Sequence, residues 1–110
     1  MNKKQLLADM GERLANRRRF LNLTQEQAAE KADVLQQSIS DAENGKTGLM
    51  PDTLLKICRA YEVSSDYILT GETTDTDVMA LDNRVRQLPP DKFQHLEGII
   101  NHYISAVMSE

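Results

Sequence analysis

A chain of 110 residues has room for one small domain, or one domain with an appendage. Its 40% hydrophobic and 27% charged residues are a globular balance, and the N-terminal MNKKQLLADMGERLANRRRF lacks the continuous apolar stretch of a secretory leader. No apolar run approaches the roughly 20 residues of a membrane span, so a soluble, cytoplasmic chain is expected. The net charge of −4 argues against a nucleic-acid partner only until its distribution is read: residues 1–71 carry ten basic and ten acidic side chains, residues 72–110 three and seven. The deficit lies in the tail, while positive charge gathers at Lys3, Lys4, Arg13 and Arg17-Arg18-Arg19.

In chain order, Leu6, Leu7, Met10, Leu14 and Leu21 recur at helical spacing and predict a first helix that ends around Asn22. Thr24-Gln-Glu-Gln27 reads as a capping box, with the Thr24 hydroxyl accepting from the backbone three residues on and Gln27 reaching back. The second helix, about residues 24–32, has a small-residue face of Ala28, Ala29 and Ala32 that lets another helix come close. Asp33-Val34 is a turn, because Asp tolerates the left-handed backbone. A third helix, about 35–43, carries Leu35, Ile39 and Ala42 at i, i+4 and i+7 as its inward stripe, and Asn44-Gly45 closes it.

Pro51 suits the first position of a fourth helix whose buried face is Leu54, Leu55, Ile57, Cys58 and Tyr61. In that company Cys58, the sole cysteine, reads as a packed core thiol rather than a nucleophile, and it can close no internal disulfide. Ser64 caps a fifth helix, Val63 staples onto Ile68, and Gly71 stops it. The polar, acidic ETTDTD at 72–77 reads as a linker. Beyond it Val78, Leu81, Val85 and Leu88 mark a short amphipathic helix ended by Pro89-Pro90, and Asp91 is expected to cap a last helix. That helix carries Phe93, Leu96, Ile99, Ile100, Tyr103, Ile104 and Val107 along one broad face, which needs a partner. The expected architecture is all-α: a five-helix domain over residues 1–71, a linker at 72–77 and a helical tail at 78–110.

Two helices joined by a tight turn at Asp33-Val34 form a helix-turn-helix, an arrangement whose second helix enters the major groove of DNA. With Leu35, Ile39 and Ala42 turned inward, Gln36, Gln37, Ser40 and Asp41 share the opposite face as two i, i+4 pairs. Those groups suit base edges: Gln pairs in bidentate fashion with adenine, Ser donates or accepts, and Asp accepts from the amino group of cytosine. An ordinary solvated face has the same composition, so the pattern alone leaves both open.

From about residue 10 to 71 the chain closely resembles the Cro/cI-type (XRE) helix-turn-helix family of phage repressors and bacterial regulators. The resemblance is carried by LNLTQEQAAEKADV, QQSISDAENGK and TLLKICRAYEVSSDYILTG in that order and spacing. It implies a lambda-repressor-like domain with Gln36, Gln37, Ser40 and Asp41 at base-reading positions. Gln25, Asn44 and Lys46 match phosphate-contacting positions, and Arg18 matches a basic residue that pairs with the acid at Glu43 and lies near the DNA backbone. Arg17-Arg18-Arg19 would be only a solvated turn in isolation, but beside Gln25 the run reads as a phosphate clamp, with Arg17 and Arg18 its candidate contacts. The chain departs from the pattern at Leu35, where Ser or Thr usually caps the helix, at Asp33 in place of a common Gly, at Asp41 in place of a basic or amide residue, and at Ala42 in place of a larger one. Leu35 suits either the core or a thymine methyl, and its relation to Ile39 favours the core.

His95 and His102, seven apart, lack the further ligands a metal site needs, and no nucleophile-base pair or phosphate loop is visible, so no enzyme, metal or cofactor is implied. The expected partner is double-stranded DNA, bound by a dimer on a two-half-site operator, with repression the expected effect and no small-molecule ligand or membrane implied. Phe93, Leu96, Ile100, Tyr103, Ile104 and Val107 are the candidate dimer interface. The tail could also fold back on its own domain or bind another protein, and an antitoxin or other interaction module is the alternative function.

Overall fold

In the computed structural model residues 2–109 are described, and all regular structure among them is helical: α1 (Lys3–Phe20), α2 (Gln25–Ala32), α3 (Gln36–Glu43), α4 (Pro51–Tyr61), α5 (Ser65–Thr70), α6 (Asp75–Val85) and α7 (Pro90–Met108). The chain forms two contact units, one reaching to Val78 and one starting at Met79.

In the first unit, α1 packs on α3 and α5, α2 on α3 and α4, and α4 on α5. The core is Met10 and Leu14 of α1, Ala28, Ala29 and Ala32 of α2, Ile39 and Ala42 of α3, Ile57, Cys58 and Tyr61 of α4, and Ile68 of α5. Burying a side chain of the size of Ile39, Ile57 or Ile68 stabilises by about 1.5–3 kcal/mol. Gly11 lets α1 and α3 meet backbone to backbone: a Cβ there would lie 2.4 Å from the Ala42 carbonyl oxygen and 2.7 Å from that of Glu43. No side chain fits that crossing.

The connections repeat one device. After α1, Leu23 N–H reaches the Arg18 carbonyl with Asn22 left-handed; after α2, Val34 N–H reaches that of Ala29 with Asp33 left-handed. After α3, Lys46 N–H reaches Asp41 and Gly45 N–H reaches Ala42, and after α4, Val63 N–H reaches Cys58 with Glu62 left-handed. This closure satisfies the last carbonyls of a helix and turns the chain sharply, which is why five helices fit in so few residues.

In this unit three sequence expectations change. Leu35 is 75% exposed, because it is the extended N-cap residue of α3 (φ −71°, ψ 139°) and the i, i+4 relation to Ile39 holds only inside a helix. Leu55 is 48% exposed and Ala60 is buried in its place, since Leu54, Ile57, Cys58 and Tyr61 already fill the inward arc. The linker is shorter than residues 72–77, because α6 begins at Asp75. Thr74 and Asp77 form a reciprocal cap there, the Asp77 carboxylate accepting from Thr74 N–H at 2.9 Å and Thr74 Oγ1 accepting from Asp77 N–H at 3.4 Å. Asp77 also accepts from Ser64 N–H at 2.7 Å and Ser64 Oγ at 2.8 Å. One carboxylate thus serves the starts of α5 and α6. Burial pushes Asp77 up, but the bonds from Thr74 and Ser64 outweigh it and hold the carboxyl below its ordinary range.

In the second unit α6 ends at Val85, and Arg86 to Leu88 continue as a turn into Pro89. Pro89, not Asp91, is the N-cap of α7; Asp91 lies within the first turn, where its charge complements the helix dipole. No residue of α6 or α7 is fully buried. No helix is long and apolar enough to cross a membrane among the described residues.

Candidate nucleic-acid interface

The eight residues of α3 alternate between holding the helix and presenting it. Ile39 and Ala42 are 2% and 5% exposed and seat it against α1 and α2. On the other side Gln36 and Gln37 are exposed, and Ser40 and Asp41 are half-buried. Gln37 Nε2 donates to Asp41 Oδ1 at 2.9 Å, so the two members of that i, i+4 pair are already joined. Asn44 and Lys46 are exposed just beyond the C-terminus of α3.

Glu43 fixes the helix from its far end. Its carboxylate accepts from Arg18 Nε at 2.7 Å and Arg18 Nη2 at 2.9 Å, a bidentate pair, and from Gln25 Nε2 at 3.2 Å. The Glu43 and Arg18 side chains are 5% and 12% exposed, so the pair is largely withdrawn from solvent. The hydrogen bond from Arg18 to Glu43 raises the Arg18 pKa against the opposing effect of burial, and the guanidinium stays charged. One carboxylate therefore ties α1, α2 and α3 together and sets how α2 and α3 lie relative to each other. Tyr61 stands behind this junction with its hydroxyl buried and without a hydrogen-bond partner; burial first, then the Glu43 charge, push it up to about 12.

Three arginines of α1 are engaged within the chain. Arg18 spends its remaining Nη1 on the Leu23 carbonyl at 2.8 Å, and Arg17 donates to the carbonyls of Tyr61 at 2.8 Å and Glu62 at 3.3 Å while lying 4.9 Å from the Phe20 ring centre. Arg13 likewise donates to the Ile68 carbonyl at 3.1 Å. Arg17 and Arg13 sit on the carbonyl ends of α4 and α5, where the helix dipole favours positive charge. Arg17 and Arg18 thus each hold part of the fold together at the end of α1. Gln25 is half-buried at the first turn of α2 beside Glu43, which leaves its position at the α2 N-terminus intact. The sequence reading also missed an open cleft of about 340 Å³ at the start of α3, lined by Asp33, Val34, Leu35, Ser38, Thr53 and Lys56. Exposed Leu35 and the cation of Lys56 border it, and Lys56 carried no local signal because its position depends on how α4 meets α3.

Among the described residues, no group of three or more His, Cys, Asp or Glu side chains converges as a metal site. Cys58 is 4% exposed, and burial, with the nearby Asp77 charge, pushes its thiol up to about 11, away from the reactive thiolate.

A helix-turn-helix family model matches residues 14–68, which span α2, the left-handed turn at Asp33, α3 and α4. The chain is 34% identical over 74 residues to the HTH-type transcriptional regulator ImmR of Bacillus subtilis, a stretch covering 64% of this chain and 58% of that protein. The chain thus matches little more than half the length of that relative. Helix pair, turn geometry, amide-bearing α3 and family match converge: the chain belongs to the XRE-type helix-turn-helix family of DNA-binding transcription regulators.

Proposed function

We propose that this protein is a sequence-specific repressor that binds double-stranded DNA in the cytoplasm as a homodimer. In this reading α3 enters the major groove, Gln36, Gln37, Ser40 and Asp41 form the face turned to base edges, and Gln25, Asn44 and Lys46 hold phosphates. The observation that carries it is the exposed amide pair Gln36-Gln37 on a short helix locked to α1 and α2 through Glu43. A helix that reads bases must be held rigidly, since each good bidentate contact discriminates by about 1–3 kcal/mol only when its geometry is kept. The apolar face of α7, with Phe93, Ile100, Tyr103, Ile104 and Val107 exposed and Leu96 half-buried, supports a second copy as its cover. Two-fold symmetry would set two α3 helices about 34 Å apart, one turn of DNA.

The test is salt-titrated binding to the DNA upstream of its own gene and to a random duplex. Specific affinity should fall steeply with salt in proportion to the phosphates contacted, and Gln37→Ala should lower it about tenfold on the upstream DNA while leaving the random duplex unchanged. Binding that ignores both salt and sequence would sink the reading.

A further inference from the structure

The face of α3 contains an acid where a negatively charged polymer is to be bound, and its carboxylate is already engaged. Gln37 Nε2 donates to Asp41 Oδ1 at 2.9 Å. An ionised carboxylate only accepts, so the group turned toward it must be the NH2 end of the Gln37 amide; the opposite orientation would set two acceptors against each other. The amide is thus fixed the right way round, with one of its two N–H groups spent; Oε1 and the N–H cis to it remain together on one edge when the trans N–H is the one given to Asp41. Guanine offers only the acceptors N7 and O6 in the major groove, and a bidentate contact to it from glutamine needs both N–H groups. Adenine offers the acceptor N7 and the donor N6, and needs one N–H and the Oε1.

We propose that Asp41 is a positioning residue that makes Gln37 an adenine reader and turns it away from guanine, while its charge lowers the affinity of the whole face for DNA of any sequence. The proposal rests on the reading of α3 as the base-contacting helix and goes beyond it by assigning the acid a role through Gln37 rather than at a base of its own. Asp41 acts at the one position of this face where a neutral side chain would bind phosphate-rich DNA more tightly, so its presence trades affinity for discrimination.

The test uses the full chain and four proteins: wild type, Gln37→Ala, Asp41→Ala and the double variant. Each is titrated against the operator found in the upstream DNA, against all three replacements at every base pair of one half-site, and against a random duplex. Asp41→Ala places the best helix former in α3, so folding is retained, as circular dichroism would verify. The wild type should prefer adenine over guanine by about tenfold at the base pair whose preference vanishes in Gln37→Ala. Asp41→Ala should bring that ratio close to one at the same base pair, leave the other pairs unchanged and tighten binding to the random duplex several-fold. Added to Gln37→Ala, it should change nothing further at that pair. Relaxation at a different pair where cytosine is preferred would show that Asp41 reads a base directly and would overturn the proposal, as would an unchanged adenine-to-guanine ratio. A wild type indifferent to every base replacement would overturn the base-reading function itself, a result visible before any Asp41 variant is compared.

Discussion

Ile39, Ile57 and Ile68 are 2%, 1% and 0% exposed in the unit that reaches to Val78, whereas Ile99, Ile100 and Ile104 of α7 are 54%, 42% and 51% exposed. The residue type is the same and the helical spacing is comparable. What differs is the supply of facing surface: in the first unit five helices cover one another, and α7 has 19 residues with no fully buried position. Most helical stability in proteins comes from packing an apolar face rather than from intrinsic propensity. The first unit therefore closes a core of its own, and the apolar face of α7 is the one for which we propose a second copy as cover.

The strongest way to break that contrast is to remove the tail. A chain ending after Val78 keeps the Asp77 carboxylate on Ser64 and Thr74, so it should unfold cooperatively, sediment as a monomer and lose about a hundredfold or more in operator affinity as two linked half-site contacts become one. A dimer after truncation would move the interface into the first unit. A full-length chain that sediments as a monomer would instead give the α7 face to another protein.

Within the first unit, Glu43→Ala should be the costly change, about 3–5 kcal/mol in chemical denaturation, because it leaves the Arg18 guanidinium uncompensated in a largely buried site. Acid should act through Asp77. Its carboxyl is held below the ordinary range, so its contribution is complete above that range and is lost as pH falls through its folded value. Unfolding free energy should decline below about pH 4, and Asp77→Asn should flatten part of that decline. The smallest effect is expected at Tyr61→Phe. Removing a buried hydroxyl that makes no hydrogen bond should be neutral or stabilising by up to about 1 kcal/mol, read from the melting temperature.

Much of the first unit was legible because its helix boundaries are chemical. The Thr24–Gln27 capping box, the left-handed Asp33, Gly45 beyond α3, Pro51 and Ser64 all act on neighbours a few residues away, and a sequence displays those distances directly. Leu35 misled because helical periodicity was applied one residue outside the helix. The T-x-x-D of Thr74 and Asp77 was a visible capping signal hidden by the acidic, polar composition around it. The ties from Arg13 and Arg17 to the ends of α5 and α4 span 55 and 44 residues, and a long flexible side chain gives no sign of where its tip will go. Gly11 was equally silent, because its reason is the backbone of another helix. On the candidate site, the residues of α3 could be named from the sequence, and the bond that couples Gln37 to Asp41 needed their coordinates.

Hydroxyl-radical footprinting of the full chain on its upstream DNA tests the central claim most directly. A dimer that sets α3 into two successive major grooves should protect two patches on one face of the duplex, centred about 10 base pairs apart, with both lost together in the chain ending after Val78. A single patch, or uniform protection along the DNA, would contradict the account.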